Sequence, residues 1–398
     1  MTRLDKLVRP GCTVAFADGA GLPRGAAADE LSRAAAEAGG VRLFLGWCPA
    51  PPEGLDLTAF AEVRTIMAGY ALRRPVADGA VRYLPARLGT VPALLRDVIR
   101  PDVLVAPVVR VPGGWRFTME ASWLHAAVEA GAVVAGVPQH RPRTAHAGPL
   151  LDPARVVELE TGADGPATID WGGGPSDVQS VVGERVAALV PDGGRIQFAP
   201  GGVGAAFVAA LRRPVHVDTG IVTPDVLTLD RRGLLRGLPV APYLAGGEEL
   251  YDWADGRPLV HPLENTHHPG RLSSGPPLTA VNTALQIDLD GQVNVEAVGR
   301  EPVAGVGGQP DYMAAAARAT GGLSVIALPS RHRGRPTLVE SLSTAVSTPS
   351  HDVDVVVTEH ATVDLRGLDR AERRAALSKA WAGETAPAPG PGRDGTER

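Results

Sequence analysis

Gly305, Gly307 and Gly308 stand immediately ahead of an Asp311–Tyr312 pair and an alanine-rich run. A glycine-rich loop that opens a helix lets the backbone approach a ligand closely. The helix start also leaves N–H groups without intrahelical partners, and together these suit an anion or a developing oxyanion. A second loop of the same kind, Gly201-Gly202-Val203-Gly204, follows the strand-like run GGRIQFA. Around these loops few side chains can take part in chemistry. Lysine occurs only at Lys6 and Lys379, neither in a glycine-rich loop, which argues against a P-loop nucleotide site and against a Schiff-base lysine. His216, Asp218, Glu264, His267 and His268 are separated by no metal-ligand spacing, so no metal is expected. Cys12 and Cys48 each lack a second cysteine at ligand spacing and read as buried thiols rather than a disulfide.

The elements that must position these loops alternate along the chain. Short apolar runs (CTVAF, VRLFLGW, DVLVAPVV, VVAGV) alternate with alanine-rich segments such as AAADELSRAAAEAGG, stopped by Gly39-Gly40. VPALLRDVI and SWLHAAVEAGA read as helices. Residues 142–178 are richer in Pro, Gly and Asp, with VVELE their one clear strand, and a second series follows. SDVQSVVGERVAALV is a helix, GGRIQFA a strand, AAFVAALRR a helix, VHVDTGIV a continuous strand, TAVNTALQIDL a strand, YMAAAARAT a helix, and LSVIALPS and VDVVVTEH strands. Alternation of this kind predicts an α/β fold built on mostly parallel sheets. A length of 398 residues predicts two domains, 1–178 including the connector and 179–383, with 384–398 a disordered tail.

Net charge of -5 leaves no basic footprint for nucleic acid. No apolar run is long enough to span a bilayer, and the first residues lack the pattern of a secretory leader, so a cytoplasmic protein without membrane partners is expected.

The ordered motifs resemble the acetyl-CoA hydrolase/transferase family, which includes 4-hydroxybutyrate and succinyl-CoA:acetate CoA-transferases. Pro191-Asp192-Gly193, Ile196-Gln197 and Gly201–Gly204 are similar to its PDG…LQxGIG segment. Asn282–Asn294 (NTALQIDLDGQVN) and Gly305–Tyr312 (GVGGQPDY) are similar to its N(S/T)AxEVDLxGQVN and GVGGxxDF segments. Leu328-Pro329-Ser330, Thr348-Pro349, His351-Asp352-Val353 and Val357–Gly367 follow in order, while 82–95 and 142–144 match more weakly. The resemblance implies two open, mostly parallel-sheet α/β domains of the CoA-transferase (NagB/RpiA-like) type, a homo-oligomer, expected to be a dimer, and coenzyme A or acyl-CoA as the small-molecule substrate. It implies ping-pong chemistry through a glutamyl-CoA thioester, with both glycine loops serving as the oxyanion and CoA cradle. Gly202, Val203, Gly204, Gly307, Gly308 and Gln309 fall on those loops. Arg331 and Arg333 fall where the family often places a CoA-contacting lysine, Glu296 on a glutamate that contacts the cleft or braces the loop, and Asn282 at the start of its strand motif. Glu359, Asp364 and Arg366 read as a structural network.

The chain departs from the family at its nucleophile. The glutamate position, in a segment like LGIHTEM, falls on Gly220 of Val215–Ile221. Glycine has no side chain with which to form an anhydride or thioester. On a continuous strand Asp218 would share a face with Gly220, which nominates it as a replacement carboxylate. The family's TNDP-like segment is Thr266-His267-His268-Pro269 here; the proline predicts an extended loop at the two histidines, and the aligned position nominates His267 as a base for water. Gln286 also replaces a common glutamate. The expectation is an acyl-CoA enzyme without a glutamyl-CoA intermediate, hydrolysing a thioester or performing a related acyl-CoA reaction. The alternatives are a CoA-transferase using Asp218 and a non-catalytic subunit that binds CoA or a partner.

Overall fold

Two sheets organise the chain in its computed structural model, which describes residues 2–382. The tail expected to be disordered, 384–398, lies outside the described residues. The first sheet runs in the order Arg82–Tyr83, Glu62–Thr65, Arg42–Leu45, Thr13–Phe16, Val103–Val111, Val133–Pro138, Val156–Glu158. Its path strands are parallel, with Val14 opposite Leu43 on one side and Val103 on the other. The hairpin strand Gly114–Phe117 pairs antiparallel with Val103–Val111. The central strand Thr13–Phe16 is buried along its whole length, as expected for a sheet covered on both faces. The helix Ala26–Ala38 supplies one cover and ends at Gly39, whose φ of 73° suits glycine.

The second sheet runs His216–Val217, Arg195–Phe198, Leu278–Asn282, Leu323–Ala327, Val355–Val357, Thr362–Asp364, parallel except for the last strand. These are two α/β domains with mostly parallel sheets. The expected boundary between 178 and 179 falls in the first turn of the helix Asp177–Ala187, which starts at a Ser176–Gln179 capping box. That helix packs on Gly202–Ala210 and so belongs with the second sheet. The segment around 240–263 returns to the first half: Tyr243 bridges to Glu120, and Val260 bridges to His146. One apolar cluster runs from Phe44 and Trp123 through Tyr243 to Phe198 and Val217, so the two halves share core.

Three expectations of the sequence are redrawn. VHVDTGIV is not one strand. His216–Val217 joins the second sheet beside Arg195–Phe198, whereas Ile221–Val222 pairs with Tyr243–Leu244. The chain changes sheets across Asp218–Gly220, so the alternation that put Asp218 and Gly220 on one face does not hold. TAVNTALQIDL likewise divides, into Leu278–Asn282 in the main sheet and Gln286–Asp288 in a small sheet with Val293–Asn294 and Leu338–Val339. His267 is not in an extended loop but caps the one-turn helix Leu263–Thr266; only His268, next to Pro269, is extended. Cys12 and Cys48 are free and buried.

Candidate active site

Both glycine loops lie at the carboxyl ends of the second sheet's strands, where open parallel sheets bind ligands. Arg195–Phe198 leads through Gly201 into the helix Gly202–Ala210. A Cβ on Gly204 would stand 2.0 Å from the Ala199 carbonyl oxygen, so the tight turn onto the helix requires glycine. The cleft in front of this loop, about 300 Å³, is lined by Gly202, Val203, Gly204, Asn282, Pro329 and His332 among others. It shares Ala199, Pro200 and Asn282 with a second cavity of about 190 Å³. Gly305, Gly307, Gly308 and Gln309 line that second cavity, and Gly220 lines it too.

The loop ahead of the helix Gln309–Arg318 is held on every side. Leu88 N–H donates to the Gly307 carbonyl at 3.0 Å, and Gly89 N–H to Asp311 at 2.9 Å, so segment 82–89 wraps around it. Burial pushes the Asp311 carboxyl up to about 6, opposed by the Gly89 hydrogen bond and by Arg87. Glu296 braces the other side. Its carboxylate accepts from the Tyr83 hydroxyl and the Ser347 hydroxyl, each at 2.8 Å, and its carbonyl accepts from Val303 N–H at 2.7 Å. Tyr83 in turn accepts from Val306 N–H at 3.0 Å. Gln309 reaches Thr348 at 3.3 Å.

His267 lies directly behind the loop. A Cβ on Gly308 would stand 2.3 Å from its Nε2, so the loop backbone rests on the imidazole. The ring packs edge-on to Tyr312 at 4.9 Å, and its Nδ1 is paired with the Thr266 hydroxyl at 2.9 Å. Burial, helped by the charge of Arg271, lowers its pKa to about 3, so the ring is neutral at physiological pH. It does not line the cavity.

Asp218 is turned away from the cavity and closed in. Arg271 holds its two oxygens at 2.7 and 2.8 Å, and Arg195 adds a contact at 3.3 Å. Arg195 also donates to the Ser274 carbonyl at 2.9 Å. Only 2 % of Asp218 is exposed, and it is not among the cavity's lining residues. Gly220, two residues on, is in the opposite situation: a Cβ there would meet nothing within 4 Å. The position expected from the sequence to correspond to the family's glutamate therefore has room for a Cβ and presents no side chain.

The loops, Gln309 and Asn282 are thus brought to one connected cleft. Asn282 is locked to Gln197 by two amide hydrogen bonds, 2.8 and 3.2 Å, and both residues face the cavity. Arg331 and Arg333 are not brought in. They sit on the exposed hairpin Arg331–His332/Arg335–Pro336, where Arg331 caps the Gly334 carbonyl and only His332 lines the cleft. Glu359 pairs with the backbone and hydroxyl of Ser330, and Asp364 with Arg366, away from the cavity.

Sequence reasoning missed the wall contributed by the first half. Trp47, Tyr70, Ile66, Met67 and Leu88 line the cavity together with Tyr243. Behind them Asp18 accepts from the Tyr243 hydroxyl at 2.7 Å, Trp123 Nε1 at 3.0 Å and Trp47 N–H at 3.1 Å. Burial raises Asp18 to about 6, and burial raises the adjacent Glu120 to about 8. No motif pointed to this group, because its members are scattered from residue 18 to residue 243. An aromatic residue in an apolar run reads as ordinary core.

The acetyl-CoA hydrolase/transferase C-terminal domain family matches residues 246–382. The 4-hydroxybutyrate coenzyme A transferase of Clostridium kluyveri is 27% identical over 332 residues, 78% of this chain and 77% of that protein. Among solved structures, RipA from Yersinia pestis superposes with a TM-score of 0.82 at 21% identity, over 97% of this chain and 94% of that one. The 4-hydroxybutyrate CoA-transferase from Porphyromonas gingivalis superposes with a TM-score of 0.73 at 23% identity, over 95% and 92%. At such identities the structural matches speak to the fold.

Proposed function

The chain belongs to the acetyl-CoA hydrolase/transferase family, and from that premise we propose that it binds an acyl-CoA and turns it over without a covalent glutamyl-CoA intermediate, hydrolysis of the thioester being the favoured reaction. The observation that carries this reading is Gly220: it lines the cavity opposite an intact glycine loop and offers no carboxylate. CoA would lie along the cleft before Gly202–Gly204, with its thioester in the adjoining cavity. N–H groups at the entrance of the helix Gln309–Arg318 would receive the thioester oxygen as it gains charge. Water then adds to the thioester carbon, the carbon–sulfur bond breaks, and a carboxylic acid and the CoA thiol leave. In this reading His267 supports the loop from behind. Its low pKa and burial leave it poorly suited to take the water's proton, and Asp218 is held by its two arginines. Dimeric assembly and a cytoplasmic location remain part of the same proposal; among the described residues no helix is long and apolar enough to cross a membrane.

A second reading has an observation of its own. Among the described residues the cavity lining contains no Asp, Glu, His, Lys or Arg, which favours a subunit that binds acyl-CoA without turning it over. One experiment separates the readings: titrate the protein with a panel of acyl-CoAs by calorimetry while following free thiol. Binding with thiol release and no protein adduct by mass spectrometry supports hydrolysis. Binding alone supports the silent subunit. A CoA adduct on Asp218 would overturn both in favour of transfer, and no binding at all would remove the acyl-CoA reading.

A further inference from the structure

We infer that the cavity beside Gly220 is an acyl subsite for a bulky, uncharged hydrocarbon acyl group, branched or cyclic, and that Gly220 sets this specificity; the inference rests on the acyl-CoA reading above. Three independent features converge on it. The first is charge. Among the described residues no ionisable acid or base other than tyrosine lines the cavity, and the buried guanidiniums of Arg195 and Arg271 are committed to Asp218. A dicarboxylic acyl group would bring its second carboxylate into this space with no cation to meet it, and an unpaired buried charge is strongly disfavoured.

The second feature is shape. Trp47 stands at the centre of an aromatic wall, edge-on to Tyr70 at 5.7 Å and to Tyr243 at 5.3 Å, and stacked on Trp171 at 6.1 Å. The Tyr243 hydroxyl is tied back to Asp18 and to Ser122, each at 2.7 Å, which leaves its ring as the surface offered to a ligand. Tyr70 holds φ at 56°, a backbone conformation rare for an aromatic residue, and is 46% exposed while lining the cavity. A partly exposed tyrosine fixed in an unfavourable backbone over an apolar cavity is better explained by a ligand than by core packing.

The third feature is room. A Cβ at 220 would meet nothing within 4 Å among the described residues, and because Gly220 lines the cavity a glutamate there would compete with the acyl group for space. The missing side chain is therefore added volume at the reacting end of the subsite, next to Ile221.

The test compares CoA, benzoyl-CoA as the bulky uncharged probe, and succinyl-CoA as the charged one, by calorimetry on the full chain and on Gly220→Leu and Tyr70→Ala. In the parent chain benzoyl-CoA is expected to bind about tenfold or more tighter than CoA, and succinyl-CoA no tighter than CoA. Gly220→Leu is expected to bring the benzoyl-CoA to CoA ratio down to about one, and Tyr70→Ala, at an exposed position, to lower it by about threefold. Should Gly220→Leu fail to fold, Tyr70→Ala carries the same reading. Succinyl-CoA binding as tightly as benzoyl-CoA, or a ratio untouched by both substitutions, overturns the inference while CoA binding leaves the acyl-CoA reading intact. Failure of CoA itself to bind the parent chain removes that reading, and the inference falls with it.

Discussion

Gly308 and Gly220 line one cavity and are glycine for opposite reasons. At Gly308 the imidazole of His267 fills the place of a Cβ, so packing alone imposes the residue. At Gly220 a Cβ would meet nothing within 4 Å among the described residues, and packing does not impose the residue. A glycine in a glycine-rich loop can thus be a structural requirement, whereas a glycine in an ordinary apolar segment can be a statement about chemistry. Only the surroundings of each, supplied by residues distant in sequence, tell the two apart.

The contrast breaks hardest two residues from Gly220. Asp218→Ala removes the acid between Arg271 and Arg195 and leaves two largely buried guanidiniums facing each other. A loss of about 3 kcal/mol in unfolding free energy is expected from chemical denaturation. A variant that kept full stability but lost turnover would mark Asp218 as a reacting group instead. Gly308→Ala comes next. It pushes a methyl into His267, and about 2 kcal/mol of destabilisation with weakened CoA binding is expected. His267→Ala in the same chain should recover part of both losses by making room, and the double-mutant cycle measures it.

The apolar wall and the polar group behind it are sharpened by pH. Folded Glu120 sits at about 8 and Asp18 at about 6, both above ordinary carboxylates because of burial. Between roughly pH 4 and 8 the folded chain keeps protons that the unfolded chain has released. Their contribution is therefore most favourable below that window and declines as pH rises through it. Denaturation midpoints should fall from pH 6 to 8, and Glu120→Gln, which keeps an acceptor for Gly21 N–H, should flatten the fall. An unchanged slope would mean that Glu120 is ionised in the fold. The smallest effect on stability belongs to Gly220 itself. Gly220→Ala should stay within about 0.5 kcal/mol of the parent, whereas Gly220→Glu, which brings a carboxylate to a cavity lined by no cation among the described residues, should cost more than that. Gly220→Glu should nonetheless gain a CoA adduct detectable by mass spectrometry after incubation with acyl-CoA.

Much of the fold was legible because local signals agreed with it. SDVQSVVGERVAALV became the helix Asp177–Ala187, Gly39 marked a helix stop, and the apolar runs became buried parallel strands. The two glycine loops were legible as a pair because each joins a strand or loop to a helix. The switch of sheets at Asp218–Gly220 was not legible. VHVDTGIV alternates well enough for one strand, and what divides it is the arginine pair that captures Asp218 from residues 195 and 271. The same holds for His267, whose position before a His-Pro pair suggested an open loop. Its burial depends on the glycine loop arriving from some forty residues later. The arginines at 331 and 333 read as phosphate ligands by type, yet the hairpin that carries them turns them to solvent.

Tyr83 joins the first half to Glu296 and Val306 of the second, and Glu296 carries the link on to Ser347. With Trp47 and Tyr70 on one side and Gly220 and Gly307 on the other, the cavity exists only while the two halves are apposed. Any ligand that fills it is a clamp by mass action: it adds RT ln(1 + [L]/Kd) to the work of prying the halves apart. Resistance to proteolysis across the connector would then rise with ligand concentration, giving a measure of occupancy that needs no turnover.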